Sequence, residues 1–318
     1  MQTIYRPSTL MFWRYYAVHM RPYLLFVSGI AGAAGIAMGK ERNWELWHAI
    51  TAFTLFFLGY GFGQALTDCF QTDTDKLSAP YRPLSKGIIA VKDVLTVSIA
   101  GLLLSGILLC LLRPFSCLLS VIAVFGLATY SYVKKNAWAG GPFYNAWIVA
   151  LLPLMGYFVV TISAGISFPV ELHSRVGISF FAYSSFVLMG YLKDIDADRS
   201  TGYKTFPVIW GWRNTTLAGD FLLVVTLLLY WYNAQWGIAG IAAIAASGIG
   251  VYGQYMAHTT RQQNEQGAII PILSTVRSFI LFHIAIVLQF QPSWWPLAVI
   301  YYLVFEWALY KRPSRFQV

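Results

Sequence analysis

Apolar runs of about 20 residues, the length that lets a helix cross a bilayer, recur along most of the chain. They lie at 22–39, 47–66, 91–112, 116–133, 143–164, 177–193, 215–233, 236–257, 269–290 and 293–310. The short alternating segments that are typical of transmembrane β-barrels do not occur. The pattern predicts an all-α, polytopic membrane helical bundle with nine transmembrane helices around a central cavity, or ten if the last run also crosses.

The composition supports a membrane protein and excludes other classes. Apolar residues make up 58% of the 318 residues and charged residues only 11%, whereas soluble domains average about 25% charged residues. The apolar content also excludes a disordered chain. We expect one integral-membrane domain over 1–318, with an interfacial helix within 1–20 and an extra C-terminal helix and tail within 291–318.

The basic residues divide unequally between the two sides of the predicted bundle. If the N-terminus is cytoplasmic, 18 of the 22 Lys and Arg residues fall on the cytoplasmic side, and Lys40, Arg42, Arg113 and Arg175 fall on the other. Cytoplasmic loops carry an excess of Lys and Arg. The net charge of +9 therefore indicates topology, and no nucleic-acid partner is needed to explain it.

The three cysteines follow no metal or redox spacing. Cys110 and Cys117 lie near the far ends of the third and fourth runs. We expect both to be unpaired, with a disulfide between them as the alternative.

Two acidic clusters are the main indication of function. Only 13 residues are acidic, and six of them stand in two short segments that follow the second and sixth runs: Asp68, Asp73 and Asp75, and then Asp194, Asp196 and Asp198. Both segments fall on the basic side. Carboxylates one helical turn apart repel each other, and Mg²⁺, which prefers carboxylate and phosphate oxygens, would remove the repulsion. Two such clusters facing one cavity could bind a diphosphate through bridging metal ions.

Helical spacing separates the roles within each cluster. Asp194 and Asp198 are four residues apart and share a helix face, whereas Asp196 points the other way. Asp68 and Asp75 share a face only if one helix continues through both. Asp73 matches that face less well, so either Asp73 or Asp75 remains a candidate metal ligand.

These motifs resemble those of the UbiA superfamily of intramembrane prenyltransferases. Residues 194–198 match the family's Asp-x-x-x-Asp motif, and residues 202–208 resemble the Gly-x-x-Thr-Leu-Pro-Val stretch that follows it. Residues 75–87 resemble the family's Asp-x-x-Asn-x-Pro-x-Arg-Pro-Leu-Pro-Ser-Gly segment, and residues 130–135 its basic loop after span four. The resemblance covers roughly residues 15–290.

The first motif departs from the family pattern. Gln64 stands where the family motif has Asn. The last Asp of the family motif would fall at Thr72 if the spacing were kept. Counting back from Arg82 puts that Asp at Asp75, which implies a three-residue insertion.

The resemblance implies a chemistry and a set of site residues. An isoprenyl diphosphate would bind two Mg²⁺ ions, held by Asp68 and Asp75, or Asp73, and by Asp194 and Asp198. A hydrophobic acceptor would receive the isoprenyl group, and an aromatic acceptor is the leading expectation. Candidate substrate contacts are Gln64, Arg82, Tyr130, Lys134, Lys135, Asn145, Tyr191, Lys193 and Lys204. Each basic residue among them is alternatively only a marker of the cytoplasmic face. Cytoplasmic loops would cap the site.

Other functions remain open at this point. A UbiA-type terpene cyclase would ionise the same diphosphate without an acceptor, and the acceptor could instead be a chlorin, a haem or a glycerol-phosphate lipid. An ion-coupled transporter is a third class, although its ion site would be expected near the bilayer midplane. Arg277, inside the ninth run, needs a partner or a polar cavity. It could contact substrate or extend to the interface.

Overall fold

The computed structural model describes residues 4–39, 46–161, 168–234 and 236–314. These residues form thirteen α-helices: α1 (Leu10–His19), α2 (Leu25–Gly39), α3 (Leu46–Asp68), α4 (Thr72–Ser78), α5 (Val91–Leu112), α6 (Phe115–Asn136), α7 (Gly140–Val160), α8 (Val170–Gly190), α9 (Ile195–Ser200), α10 (Phe206–Tyr232), α11 (Ile238–Thr259), α12 (Glu265–Phe290) and α13 (Trp295–Tyr310). The predicted all-α class is confirmed.

Nine helical segments in the described part of the chain are long and apolar enough to cross a membrane. They correspond to the first nine predicted runs. The tenth run forms α13, whose 16 residues span about 24 Å at 1.5 Å per residue, less than the roughly 30 Å hydrocarbon core. The end of the fifth run, together with Lys40, Arg42 and Arg315, lies outside the described residues.

Helices α2 and α7 pack at the centre of the bundle through glycines. A Cβ atom at Gly35 would overlap the carbonyl oxygen of Pro153, and one at Gly156 would overlap the carbonyl oxygen of Gly32. The absent side chains allow the two backbones to approach closely. This contact fixes α7, which carries Asn145, beside α2 and the segment that precedes it.

The N-terminal helix α1 is separate from the first span, as predicted. The chain turns at Arg21, the one non-glycine residue in the described chain with a positive φ, at 55°. A short 3₁₀ segment, Pro22–Leu24, then leads into α2. The turn directs the Arg21 side chain back toward the end of α3, where it meets Asp68. The position of α1 at a membrane interface stays a prediction.

The helix that ends at Asp68 does not continue to Asp75. Residues 69–71 form a turn, and α4 begins at Thr72. The shared helix face considered for Asp68 and Asp75 therefore does not exist, and tertiary contacts bring the two carboxylates together instead.

The expectation that Cys110 and Cys117 are unpaired is wrong for this structure, in which they form a disulfide. The reason is the short connection between α5 and α6, in which only Arg113 and Pro114 separate the helices. That turn places the two Cα atoms 4.7 Å apart. Cys69 is buried and forms no disulfide.

Helix α13 packs against α12 and the start of α2. The Tyr301 hydroxyl donates to the Phe26 carbonyl oxygen at 2.6 Å. Arg277 of α12 donates through Nε and Nη2 to the two carboxylate oxygens of Glu306, at 2.6 and 2.8 Å. The partner that Arg277 required is thus a carboxylate on the extra C-terminal helix.

Candidate active site

A polar chamber of about 100 Å³ lies at the end of the bundle where the two acidic clusters meet. Its charged lining residues are Arg21, Asp68, Asp75, Arg82, Lys134, Lys193 and Asp194. Acids and cations thus alternate around one buried space. The predicted meeting of the two clusters at one end of the bundle is what the structure shows.

Asp68 is held by two arginines and an amide. The Nη2 atom of Arg21 donates to both carboxylate oxygens, at 2.9 and 2.6 Å. Gln64 Nε2 donates to Oδ1 at 2.7 Å, and Arg82 Nη1 lies 3.5 Å from Oδ2. His19 stands 3.7 Å away, and burial lowers the pKa of its imidazole to about 4. His19 is therefore neutral at pH 7, so the arginines supply the compensating charge.

Asp75 lines the chamber, whereas Asp73 lies at its outer edge. Arg82 Nη1 donates to Asp75 Oδ2 at 2.6 Å. Burial raises the pKa of Asp75 above its ordinary value, against the opposing effect of Arg82. The Asp73 side chain is 47% exposed and 3.5 Å from Lys135 Nζ. Slight burial would raise the pKa of Asp73, but the Thr74 amide and the Lys135 ammonium outweigh it, and the pKa is lowered.

Two carboxylate oxygens of the second motif accept no hydrogen bond from the described residues. Oδ1 of Asp194 and Oδ1 of Asp198 are buried and accept no hydrogen bond within the described chain. Thr205 Oγ1 donates to the other Asp198 oxygen at 3.1 Å, and Lys134 Nζ lies 3.8 Å from Oδ1. Burial raises the pKa of Asp198 to about 6, although Lys134 opposes this shift. The Asp196 side chain is 91% exposed, on the opposite face from Asp198.

These donors fit a divalent cation that completes its coordination with substrate oxygens. Within the described ranges, no three His, Cys, Asp or Glu side chains are grouped closely enough to hold a metal ion by themselves. Mg²⁺ is commonly bound by one or two carboxylates together with substrate phosphates, and buried oxygens without partners on Asp194 and Asp198 suit that role. Asp68 and Asp75 are bonded to Arg21 and Arg82 and would have to release these arginines before binding a metal ion.

Lys134 is the central cation of the chamber. Its Nζ donates to Gln71 Oε1 at 2.8 Å and lies 5.2 Å from the centre of the Tyr191 ring. Gln71 Nε2 donates in turn to Ser131 Oγ at 3.0 Å. These contacts hold a buried ammonium group next to Asp198 without a close ion pair, so part of its charge is available to an anion.

A second, apolar chamber of about 120 Å³ adjoins the polar one. Five residues line both spaces, and we call them the polar ring: Tyr60, Gln64, Tyr130, Asn145 and Tyr183. Beyond the ring, the walls come from α3, α5, α6 and α7, with Ser28 from α2, and are mostly apolar. One end of the combined space suits a charged group and the other suits a hydrocarbon chain.

Hydrogen bonds between side chains fix the polar ring. The Tyr60 and Tyr183 hydroxyls share a hydrogen bond of 3.0 Å, and Asn145 Nδ2 donates to the Tyr183 hydroxyl at 3.5 Å. The Tyr130 and Tyr191 hydroxyls share one of 2.9 Å. The rings are therefore held at the junction between the two chambers.

The segments that follow α3 and α8 are joined to each other and to the end of α6, next to the polar chamber. Thr74 and Thr201 share a hydroxyl hydrogen bond of 2.8 Å. The Tyr203 hydroxyl donates to Asp73 Oδ1 at 3.3 Å, and the Lys204 amide donates to the Lys135 carbonyl oxygen at 3.0 Å. These contacts join segments of which the predicted cap would consist, and their role as a cap stays a prediction.

The predicted site residues fall into two groups. Gln64, Tyr130, Asn145, Tyr191 and Lys193 line the polar chamber together with the predicted Arg82 and Lys134. Lys135, which is half-buried, and Lys204, which is exposed, lie outside it, and a substrate contact by either stays a prediction.

Sequence reasoning missed Arg21, Gln71 and Tyr183 as chamber residues. Arg21 was counted only as a topology marker. Its position directly before Pro22, at the start of a span, was the available signal. Gln71 stands within the first acidic cluster, where an uncharged polar residue suggests a local hydrogen-bond role. Tyr183 lies in the middle of a span among other aromatic residues, and nothing in the sequence distinguishes it.

The fold and the site together define a class of protein: a polytopic helical membrane protein whose buried, charged chamber opens into an apolar one. The chain belongs to the UbiA prenyltransferase family, whose sequence profile matches residues 25–274. The matched residues include both acidic motifs and extend from the start of α2 into α12, the ninth span. It ends before α13.

Individual relatives support the assignment. The chain is 27% identical over 223 residues to digeranylgeranylglyceryl phosphate synthase of Thermococcus kodakarensis, covering 69% of this chain and 76% of that protein. It is 24% identical to the protein of the same name from Thermococcus gammatolerans, covering 78% and 88%.

Solved structures show the same fold. A UbiA homologue from Archaeoglobus fulgidus bound to DMAPP and Mg²⁺ matches with a TM-score of 0.64 and 19% identity, covering 84% of this chain and 98% of that one. The apo UbiA homologue from Aeropyrum pernix matches with a TM-score of 0.67 and 18% identity, covering 80% and 94%.

These comparisons confirm the main expectations from the sequence. The protein is an integral, multi-pass membrane enzyme, an intramembrane prenyltransferase of the UbiA family. Solved homologues contain Mg²⁺ with DMAPP or with GPP, which supports a divalent metal and an isoprenyl diphosphate for the family. The transporter alternative has no support among them.

Proposed function

We propose that this enzyme transfers an isoprenyl group from an isoprenyl diphosphate bound across the two chambers, with the diphosphate in the polar chamber and the tail in the apolar one. One observation carries the proposal: the polar ring residues line both spaces, so the two are adjacent. A ligand that is anionic at one end and hydrocarbon at the other matches this arrangement.

Four carboxylates of the two motifs are proposed as metal ligands, with Asp194 and Asp198 on one side and Asp68 and Asp75 on the other; Asp68, Asp75 and Asp194 line the polar chamber, and Asp198 lies beside its residue Lys134. Asp75 is preferred to Asp73 because it is buried against the chamber, whereas Asp73 is half exposed. Two Mg²⁺ ions bound there would stabilise the charge that develops on the departing diphosphate. Arg21 and Arg82, once released from the carboxylates, would donate to diphosphate oxygens, as would Lys134.

The polar ring is proposed to surround the reacting carbon. As the bond between the allylic carbon and the diphosphate oxygen breaks, both electrons leave with the oxygen and the carbon gains cationic character. Aromatic faces stabilise a nearby cation, and Tyr60, Tyr130 and Tyr183 stand at the junction of the chambers. The acceptor then forms a bond to this carbon and loses a proton. The cap over the polar chamber excludes water that would otherwise capture the cation.

Two acceptor classes follow from different observations. The aromatic acceptor expected from the sequence suits the aromatic lining of the ring. The relatives are named for a glyceryl phosphate product, and an acceptor of that kind would suit the basic residue Lys193, which lines the chamber beside the cations proposed to bind the diphosphate.

Product analysis separates these possibilities. Purified protein would be given Mg²⁺ and an isoprenyl diphosphate, with a phenolic acceptor panel, with a prenylglyceryl phosphate, or with neither. Prenylated phenol would support the aromatic acceptor, and a doubly prenylated glyceryl phosphate would support the lipid acceptor. A hydrocarbon or terpene alcohol released without any acceptor would indicate a cyclase. Absence of diphosphate release in every mixture would contradict the proposed function.

The polar chamber is proposed to face the cytoplasm, on the basis of the 18-to-4 charge split. Lys76 on α4 and His173 on α8 are both exposed and lie at opposite ends of the bundle. A membrane-impermeant maleimide added outside intact cells should label a His173→Cys variant and leave a Lys76→Cys variant unlabelled until the cells are opened. The reverse labelling would contradict the orientation.

A further inference from the structure

The C-terminal helix α13 packs beside the segment that follows Arg21 and leads into the bundle. It contacts the 3₁₀ segment Pro22–Leu24 directly. Its buried residues, Phe305 and Leu309, belong to the same packed cluster as Tyr23 in that segment. A helix that the family profile does not include is thus joined by packing to a turn at the candidate active site.

The end of α13 is fixed next to this segment. Arg312 Nη1 donates to the Leu309 carbonyl oxygen at 2.6 Å, an interaction that is favourable at a helix C-terminus. The same guanidinium is close enough to the Tyr23 hydroxyl to interact with it electrostatically. Leu24, the next residue of the segment, lines the polar chamber. A displacement at the end of α13 would therefore be transmitted to residues that border the chamber.

Arg21 needs support from its surroundings because its backbone conformation is unfavourable. Its φ of 55° and ψ of 75° lie in the left-handed region, which residues with a Cβ atom adopt rarely and keep only where neighbouring structure fixes them. The ion pair with Asp68 orients the side chain, but under the proposed function the arginine leaves Asp68 when a diphosphate binds. The packing of α13 against the following segment does not have to be broken at that step.

From these contacts we infer that α13 is a positioning element of the active site, which holds the turn at Arg21 so that the guanidinium can donate to the diphosphate. Phe305 and Leu309 are its positioning residues, and they act through the segment Pro22–Leu24. Neither residue lines the polar chamber, so their effect on substrate is indirect. The inference rests on the proposed function, since it assumes that Arg21 contacts the diphosphate.

The helix supplies its own matched control. Leu309 is 1% exposed, whereas Leu303 on the same helix is 61% exposed and lies outside the cluster. Leu309→Ala removes packing next to the segment that follows Arg21, and Leu303→Ala makes the same substitution on the outer face of α13. Leu309→Met conserves most of the apolar volume, which packed sites tolerate well, and serves as the conservative variant.

The test measures binding of two ligands with Mg²⁺ present, by displacement of a labelled donor analogue. One ligand is a non-cleavable isoprenyl diphosphate analogue, and the other is inorganic diphosphate, which has no tail and reports on the headgroup site alone. We expect Leu309→Ala to weaken both by about tenfold, since a remote substitution that shifts a binding group by about 1 Å can cost up to about 10²-fold. Leu303→Ala and Leu309→Met should bind both ligands as the wild type does.

A double-mutant cycle separates positioning from a general loss of structure. Arg21→Met should itself weaken inorganic diphosphate binding. If Leu309 acts through Arg21, adding Leu309→Ala to Arg21→Met should weaken binding no further, because the two residues then contribute through one interaction. A variant that is only less stable would instead show fewer binding sites per molecule with an unchanged affinity.

Three results would overturn the inference and leave diphosphate release by the wild type intact. They are wild-type affinity for inorganic diphosphate in Leu309→Ala, losses that add in the double variant, and wild-type affinity in Arg21→Met. If Leu309→Ala does not fold, Leu309→Val removes less volume and is compared with Leu303→Val in the same way. A wild-type enzyme that releases no diphosphate from any isoprenyl donor would instead contradict the proposed function.

Discussion

Asp194 and Asp196 stand two positions apart, but only Asp194 lines the polar chamber. Replacing Asp194 by Asn removes a carboxylate whose Oδ1 is buried and unsatisfied among the described residues. We predict that Asp194→Asn lowers diphosphate release by at least about 10²-fold, the usual cost of removing one group that stabilises the transition state. Asp196→Asn, at an exposed position, should retain nearly the wild-type rate.

The control for this comparison is the thermal unfolding of both variants, which should match the wild type. An Asp196→Asn enzyme that loses as much activity as Asp194→Asn would show that the exposed carboxylate takes part in the reaction. The assignment of roles by helix face would then be wrong.

Asp198 predicts a pH-dependent stability in the metal-free protein. Burial raises its pKa from 3.8 to about 6, so between these values the folded protein binds a proton that the unfolded chain does not. Its contribution to the free energy of unfolding therefore falls as pH rises through this window, and at pH 7 the ionised carboxylate is a net cost. Asp198→Asn should raise the Tm at pH 7 by a few degrees and change it much less at pH 5, measured with a metal chelator present. An equal change in Tm at the two pH values would contradict the account.

At the scale of elements, the contact between α2 and α7 depends on the absence of side chains. Gly156→Ala would place a Cβ atom against the Gly32 carbonyl oxygen, which is backbone and cannot rotate away. Overpacking of this kind costs about 1–3 kcal/mol, so we predict a lowered Tm and weakened activity, because α2 and α7 both line the site. Gly248→Ala is the matched control: Gly248 is exposed in α11 and a Cβ atom there meets no heavy atom within 4 Å. Its Tm should stay unchanged or rise slightly, because alanine favours a helix more than glycine does. A wild-type Tm for Gly156→Ala would mean that the helices separate without cost.

One ion pair joins α12 to α13, in addition to the buried apolar residues Phe305 and Leu309 of α13. Arg277 is only about one-third exposed, as is Glu306, so removing either charge leaves the other poorly compensated in an apolar environment. We predict that Glu306→Gln lowers the free energy of unfolding by about 1.5–3 kcal/mol, the range for a hydrogen bond to a charged group. The exchanged double variant Arg277→Glu, Glu306→Arg should recover part of the loss. A Glu306→Gln protein as stable as the wild type would show that the pair is not needed to hold α13.

For the molecule as a whole, the features that the sequence predicted are those set by the bilayer. The nine spans were found because hydrocarbon thickness fixes the length of an apolar run. Most predicted ends agree with the helices to within four residues, but the sixth and seventh helices begin seven and nine residues earlier than predicted. The two acidic clusters were placed on one side by counting crossings. Both inferences rest on the local sequence and on the thickness of the bilayer, so they did not require knowledge of how the helices pack against each other.

The features that the sequence did not predict arise from contacts between distant segments. The ion pair of Arg21 with Asp68 joins residues 47 positions apart, and it depends on a turn with positive φ at Arg21. The partner of Arg277 lies on a helix that the family profile does not include. The disulfide between Cys110 and Cys117 follows from the angle of one turn. None of these leaves a periodic pattern in the sequence.

The most direct test of the central claim is a structure of the enzyme in lipid with Mg²⁺ and a non-cleavable farnesyl thiodiphosphate. We predict density for the diphosphate among Asp68, Asp75, Lys134 and Asp194, and density for the tail passing the polar ring between α3, α5, α6 and α7. Arg21 and Arg82 should have moved from the carboxylates toward the diphosphate. A diphosphate bound outside the polar chamber, or a tail that leaves it between other helices, would contradict the account.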